Sequence, residues 1–127
     1  MKYGYRKQVS LPFTEAVEKT RQELAKEGFG ILTEIDVKAA FREKLDVDYD
    51  NYIILGACNP SLAHKALEAE KEIGLLLPCN VIVYEDEGSV FVSSILPKVA
   101  MSMVESAELA EVADTAEQKL RKVIDQI

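Results

Sequence analysis

The chain has 127 residues, the length of one ordinary domain, and we expect residues 1–127 to form a single domain. Hydrophobic residues make up 48% of the sequence and charged residues 29%, a balance that argues against a disordered chain. Lys and Arg number 15 and Asp and Glu number 22, so the net charge of −7 argues against a protein that binds a nucleic-acid backbone.

The sequence also bears on the compartment. The first ten residues alternate tyrosine with charge and lack the apolar run of a signal peptide. No segment approaches the roughly 20 apolar residues that span a bilayer. We therefore expect a cytoplasmic protein without membrane contact, in which both cysteines are reduced.

The hydrophobic pattern predicts five strands and four helices. Strands are predicted at Lys2–Ser10, Phe29–Glu34, Tyr52–Cys58, Cys79–Glu85 and Val90–Leu96. Helices are predicted at residues 15–27, over about ten residues from 37, from 60 to the segment 75–78, and from 107 to the end. The stretch Lys98–Val104 fits either a loop or a short helix. The resulting order is β-α-β-α-β-α-β-β-α.

Local signals support these boundaries. The residues that suit helix N-cap positions are Thr14, Asp36, Asn59 and Ser106. Pro60 follows Asn59 at the first helical position, which is the strongest helix start in the chain. Residues 86–88 are typical of a hairpin turn. We therefore predict an α+β fold, with one mostly antiparallel sheet and helices on one face.

The candidate functional site surrounds Cys58, which should lie where a strand ends and a helix begins. The backbone N–H groups of Ser61 and Leu62 are expected to be open at that helix start. The positive end of a helix dipole favours the thiolate form of a cysteine and attracts small anions. His64, one turn further on, is a candidate base or metal ligand.

Three functions fit these residues. The first is binding of a small ligand, anionic or neutral, at Cys58, Asn59, Ser61, Leu62 and Cys79. The second is a redox or sulfur-transfer enzyme with Cys58 as nucleophile, His64 as base and Cys79 as resolving thiol. The third is a dimeric interaction module without chemistry. We favour the first because binding needs fewer residues than catalysis; the sequence identifies no cofactor.

Each cysteine also has a purely structural interpretation, because free cysteine is among the most buried residue types. A metal site would need Met101 or Met103 beside the two thiols and the histidine, and no C-x-x-C or paired histidine supports one. The spacing C-x-x-S at residues 58–61 occurs in thioredoxin-like proteins, but the order of elements argues against that fold.

Two further expectations concern surfaces. Tyr3 and Tyr5 should share a face of the sheet, packed on a helix or a second subunit. The last helix has an apolar seam in which Ala113 and Ala116 permit close approach. That seam fits either packing on the chain's own sheet or packing across a dimer axis.

Two segments carry a resemblance to a known family. The runs Ile54-Leu55-Gly56-Ala57-Cys58-Asn59-Pro60 and Gly74-Leu75-Leu76-Leu77-Pro78-Cys79-Asn80-Val81 resemble domain-of-unknown-function family 302, a widespread prokaryotic family. The resemblance implies a curved antiparallel sheet backed by helices, similar to TATA-binding-protein-like folds, and a homodimer. It implies no activity. Family cysteines match Cys58 and Cys79, and antiparallel strands would place both at one end of the sheet.

Overall fold

The computed structural model describes residues 2–127. Its strands are β1 (Gly4–Val9), β2 (Gly30–Asp36), β3 (Tyr52–Cys58), β4 (Cys79–Asp86) and β5 (Ser89–Ile95). Its α-helices are α1 (Phe13–Lys26), α2 (Val37–Leu45), α3 (Pro60–Ala69), α4 (Pro97–Ala100) and α5 (Ala107–Asp125). A 3-10 helix at Lys71–Leu76 connects α3 to β4.

The strands form one sheet in the order β1-β5-β4-β3-β2, and every neighbouring pair is antiparallel. The predicted α+β class and the predicted antiparallel sheet are confirmed. The β4–β5 hairpin turns at Glu87 and Gly88, whose φ angles are 49° and 83°. Two successive positive φ angles match the twist of the flanking strands, which fixes their register.

Helices α1 and α5 cover one face of this sheet. Alternate residues of the central strands are buried there, among them Leu55, Val81, Val83 and Val92. They pack against apolar residues of the two helices, among them Leu24, Leu120 and Ile124. The last helix thus packs on the chain's own sheet, one of the two arrangements its seam allowed.

A second cluster closes one end of the sheet. It joins α3, the 3-10 helix and α5 through Ala66, Ile73, Met101, Leu109 and Ala113. Helix α3 contacts α5, and residues of both helices line a cleft at this end of the sheet.

Three of the four predicted N-caps are confirmed. The side chains of Asp36, Asn59 and Ser106 each accept a hydrogen bond from a backbone N–H three residues later. Thr14 was the wrong choice for α1, since that helix begins at Phe13 without a side-chain cap. Pro12 occupies the cap position instead, and its carbonyl accepts the first helical hydrogen bond.

Two segments differ from the sequence prediction. Helix α3 ends at Ala69 because Glu70 adopts extended backbone angles and its side chain caps the N–H of Glu72, starting the 3-10 helix. In the stretch Lys98–Val104, the short helix α4 ends at Ala100 and turns follow.

The expectation for the first two tyrosines is wrong. Tyr5 lies on the helix-covered side, where its hydroxyl donates to Asp125 at 2.7 Å and Arg121 lies 4.7 Å above its ring. Tyr3 lies on the other side, beside Tyr52. Strand alternation does not apply between them, because Tyr3 precedes the first residue of β1. Within residues 2–127, no helix has the length and hydrophobicity of a membrane span.

Candidate functional site

The two cysteines lie at the same end of the sheet. Cys79 is the first residue of β4 and pairs with Ala57 of β3. Cys58 follows Ala57 in β3 and pairs with Gly30 of β2, the strand on the other side of β3. Both thiols are free. The antiparallel arrangement that would bring the cysteines together is therefore present.

A cleft of about 300 Å³ lies beside them, between the sheet end, α3 and α5. Both cysteines line it, together with Phe29 from the segment before β2 and Leu77 from the segment before β4. The cleft thus gathers residues that are far apart in the chain around the strand-to-helix junction at Cys58.

Small side chains keep the cleft open. Its walls carry Ala57 from β3, Ala63 and Ala66 from α3, and Ala113 and Ala116 from α5. An alanine at each of these positions leaves space that a larger apolar residue would fill. The alanine spacing in α5 was interpreted from sequence as a close-packing seam, and the structure shows that part of it borders empty space.

The mouth of the cleft is also apolar. Leu32, 67% exposed, and Leu67 on α3 line it and face solvent. The register of β2 shifts between Ile31 and Thr33, so Leu32 is the extra residue of a bulge and leaves the ladder. The solvent-exposed part of the lining therefore carries two leucine side chains.

The lining contains no ionisable side chain other than the two thiols. Its one amide, Asn59, is engaged at both ends. The Oδ1 atom accepts from the N–H of Leu62, and Nδ2 donates to the carbonyl of Glu27, each at 3.3 Å. The Leu62 N–H, which we expected to be open to an anion, is therefore satisfied by the chain itself.

The structure separates the other two predicted site residues from Cys58. Ser61 is exposed and does not line the cleft. His64 has a side chain that is 76% exposed, and its Nε2 atom lies 3.5 Å from Glu68 in a separate surface groove. The separation of His64 from the cleft could have been predicted from the sequence. His64 lies two positions from both Leu62 and Ala66 and therefore points to the other side of the helix.

The soft ligands proposed for a metal are also apart. Met101 is buried and lines the cleft, whereas Met103 is 75% exposed and does not. Among residues 2–127, no three His, Cys, Asp or Glu side chains converge in a way that could hold a metal ion. The chemical character of the cleft therefore comes from its apolar side chains and its two thiols.

The two thiols differ in exposure. Cys58 is half-buried, whereas Cys79 is 9% exposed. Burial, with a further contribution from the neighbouring Cys58, raises the pKa of the Cys79 thiol to about 11. Cys79 is therefore protonated at neutral pH and contributes an apolar surface rather than a nucleophile.

Sequence reasoning found Cys58, Asn59, Leu62 and Cys79 but missed most of the cleft. The missed lining residues include Phe29, Leu32, Ala63, Leu77 and Ala116, whereas Met101 had been considered only as a metal ligand. They carry no chemical motif, and their only common property is that tertiary packing directs them to one place.

Comparisons with known proteins agree with this fold. The family model for the domain of unknown function DUF302 matches residues 5–127, which confirms the resemblance noted from residues 54–60 and 74–81. The crystal structure of an uncharacterized conserved DUF302 protein from Bacillus stearothermophilus is similar, with a TM-score of 0.92 and 29% sequence identity. The alignment covers 99% of this chain and 98% of that one. No curated protein sequence matches significantly.

Proposed function

The chain belongs to the DUF302 family of domains of unknown function, and on that premise we propose that it binds a small apolar ligand in the cleft beside Cys58. The observation that carries this proposal is the lining, which is apolar except for the hydrogen-bonded Asn59 amide and has no ionisable group except two thiols. A concave apolar pocket with few polar groups is the usual form of a small-molecule site.

The roles of the individual residues follow from their contacts. Leu32 and Leu67 line the entrance through which the ligand reaches the cleft, and the alanines of α3 and α5 leave space for the ligand. Cys58, half-buried at the wall, offers a polarisable sulfur for contact. Asn59 lines the cleft and holds the start of α3, and both ends of its amide are already engaged in hydrogen bonds within the chain.

A pair of fluorescent probes tests this proposal and the nature of the ligand. N-phenyl-1-naphthylamine is neutral, and 1-anilinonaphthalene-8-sulfonate has the same ring system with a sulfonate added. We expect the neutral probe to bind one site and to bind more tightly than the anionic probe. Substitution Ala116→Leu should fill the cleft and abolish binding, whereas Ala110→Leu, at an exposed position of the same helix, should not.

The outcomes separate the alternatives. Binding of neither probe, or binding that Ala116→Leu leaves unchanged, would contradict the proposal. Tighter binding of the sulfonate would favour an anionic ligand. Thermal melts of both leucine variants serve as the fold control, since a residue placed in existing space should leave stability nearly unchanged. Cys58→Ala then tests whether the sulfur contributes to affinity.

The alternative, a thiol-dependent redox or sulfur-transfer enzyme, is supported by the half-buried Cys58 in the same cleft as Cys79. It would have to work without His64 as base, because that side chain lies in another groove. Modification of Cys58 by iodoacetamide much faster than a free cysteine at the same pH would favour it over simple binding.

We also propose that the whole chain acts as one cytoplasmic domain and as a homodimer. The single sheet joins the first strand to the last hairpin, and α5 packs on that sheet, which supports one domain. Two unpaired thiols at one sheet end are typical of a reducing compartment. A dimer in sedimentation analysis and fluorescence of a tagged chain in the cytoplasm are the corresponding tests.

A further inference from the structure

One face of the sheet is not covered by α1 or α5, and we call it the open face. It is formed by the residues that alternate away from the core in all five strands. Its centre comprises Ile54, Asn80, Ile82 and Tyr84, together with Ser93, which the neighbouring side chains leave only 5% exposed. A shallow concavity lies over this centre, and exposed Tyr3 borders it.

Aromatic side chains cross the open face as a ladder. The Tyr52 and Tyr84 rings stack with centroids 5.3 Å apart, and Tyr84 stacks on Phe91 at the same distance. Arg6 on the edge strand completes the row, with its guanidinium 5.0 Å from the Phe91 ring and one nitrogen 3.4 Å from the Tyr84 hydroxyl. Each ring thus contacts a side chain on the neighbouring strand, and such cross-strand pairs stabilise the sheet.

Charge distinguishes the open face from the rest of the chain. Of the strand residues that alternate onto it, only Arg6 and Asp86 are charged, and they bear opposite signs. The whole chain carries a net charge of −7. Two copies therefore repel each other over most of their surface but can meet here without a charge penalty.

The size of the open face reaches the lower limit for an interface between two copies. Five strands spaced about 4.8 Å apart and about six residues long at roughly 3.3 Å each span roughly 24 by 20 Å. Two such faces would bury about 1,000 Å², the lower bound for a specific interface. Exposed Tyr3 adds area at the rim. Stacked sheets pack about 10 Å apart, a distance that tyrosine and isoleucine side chains can fill.

We infer that the open face is the surface through which two copies of this chain associate, sheet against sheet about a two-fold axis. This inference deepens the proposed homodimer by naming its interface and does not depend on the ligand. Ile54, Ile82 and Tyr84 at the centre and polar Gln8 and Ser89 toward the edge correspond to the usual anatomy of such an interface.

Sedimentation velocity over a wide range of protein concentration tests the inference. Asn80 is exposed and makes no side-chain hydrogen bond among the described residues, so Asn80→Arg should fold normally while placing like charges opposite each other in the dimer. We expect it to raise the dimer Kd by more than about 100-fold. Ile82→Arg provides a second variant on the same face. Ala110→Arg adds the same charge on the helix side and should leave the Kd unchanged.

The results distinguish failure of the interface from failure of the dimer. A wild-type dimer that both open-face variants leave intact would overturn this inference and keep the homodimer. A monomeric wild-type protein would overturn both and leave the open face for another occupant. Dissociation by Ala110→Arg as well would show a general charge effect and also count against the interface. Thermal melts confirm that each variant is folded.

Discussion

The side-chain amide of Asn59 donates a hydrogen bond to the backbone carbonyl of Glu27 across 3.3 Å and so joins the end of α1 to the start of α3. The contact leaves little room at the neighbouring Gly28, where an added Cβ would lie 3.1 Å from Asn59 Nδ2. Gly28 also has a φ of +84°, which disfavours any other residue. Because Cys58 precedes Asn59, this junction fixes the position of the thiol in the cleft.

Substitution Asn59→Ala should reduce the free energy of unfolding by about 1–2 kcal/mol, because it removes an N-cap and a contact between helices. Asn59→Asp keeps an oxygen for the N–H of Leu62 but has no N–H for Glu27, so it should cost less. Urea denaturation of the three proteins measures both values. Equal losses for the two variants would show that the cap contributes little.

Gly56 is predicted to tolerate no side chain while Thr33 is present. A Cβ at this position would collide with Thr33 Oγ1 and lie 2.9 Å from Pro78 Cγ. We expect Gly56→Ala to reduce the free energy of unfolding by about 1–3 kcal/mol, as overpacking does in other proteins.

The double variant Gly56→Ala with Thr33→Ala provides the control. Removing the Thr33 hydroxyl relieves one of the two close contacts, so part of the loss should be recovered. A double-mutant cycle from urea denaturation gives the coupling energy between the two positions. If the losses of the two single variants simply add, the contact with Thr33 is not the cause of the destabilisation.

The buried thiol should resist alkylation. With a pKa of about 11 instead of the ordinary 9.0, Cys79 has a thiolate fraction near pH 8 that is about 100-fold smaller. In Cys58→Ser, which leaves Cys79 as the single thiol, iodoacetamide should therefore react at least about 100-fold more slowly than in urea-unfolded protein. Mass spectrometry over time follows the reaction. Similar rates in native and unfolded protein would mean that the cleft opens widely.

Glu23 should make stability depend on acid pH. Hydrogen bonds from Lys26 at 2.7 Å and Lys19 at 3.1 Å hold the pKa of this carboxyl below its ordinary value of 4.5. The unfolded chain thus takes up the proton first as the pH falls. The contribution of Glu23 is complete above pH 4.5 and is lost as the pH falls through the folded-state pKa.

Comparison of the wild type with Glu23→Gln isolates this contribution. Urea midpoints should differ most near neutral pH and converge at the acid end of the titration. A difference in urea midpoint that stays constant across the pH range would show that ionised Glu23 does not cause the pH dependence of stability. Glu34, whose carboxylate pairs with Arg21 at the surface, offers a matched Glu34→Gln control with a smaller expected effect, because exposed ion pairs contribute little.

Local signals explain how much of the fold could be predicted. The cap at Asn59 and the turn at Gly88 act within a few residues of themselves, so they are legible in the sequence. The N-cap of α1 is Pro12 and not the predicted Thr14, yet the observed helix differs from the predicted one by only one or two residues at each end. The sequence pattern left the relative direction of β3 and β4 open, and only the family resemblance favoured the antiparallel arrangement that brings Cys58 beside Cys79.

The sequence by itself determined the elements, their order and the location of a thiol at a strand-to-helix junction, because hydrophobic periodicity and turn residues act over short distances. Only the tertiary structure decided what surrounds that thiol. Residues as distant as Phe29 and Ala116 meet in one cleft, and their meeting depends on where α5 crosses α3. The open face is likewise a tertiary property, since strand alternation gives the sheet two faces and helix packing decides which one stays uncovered.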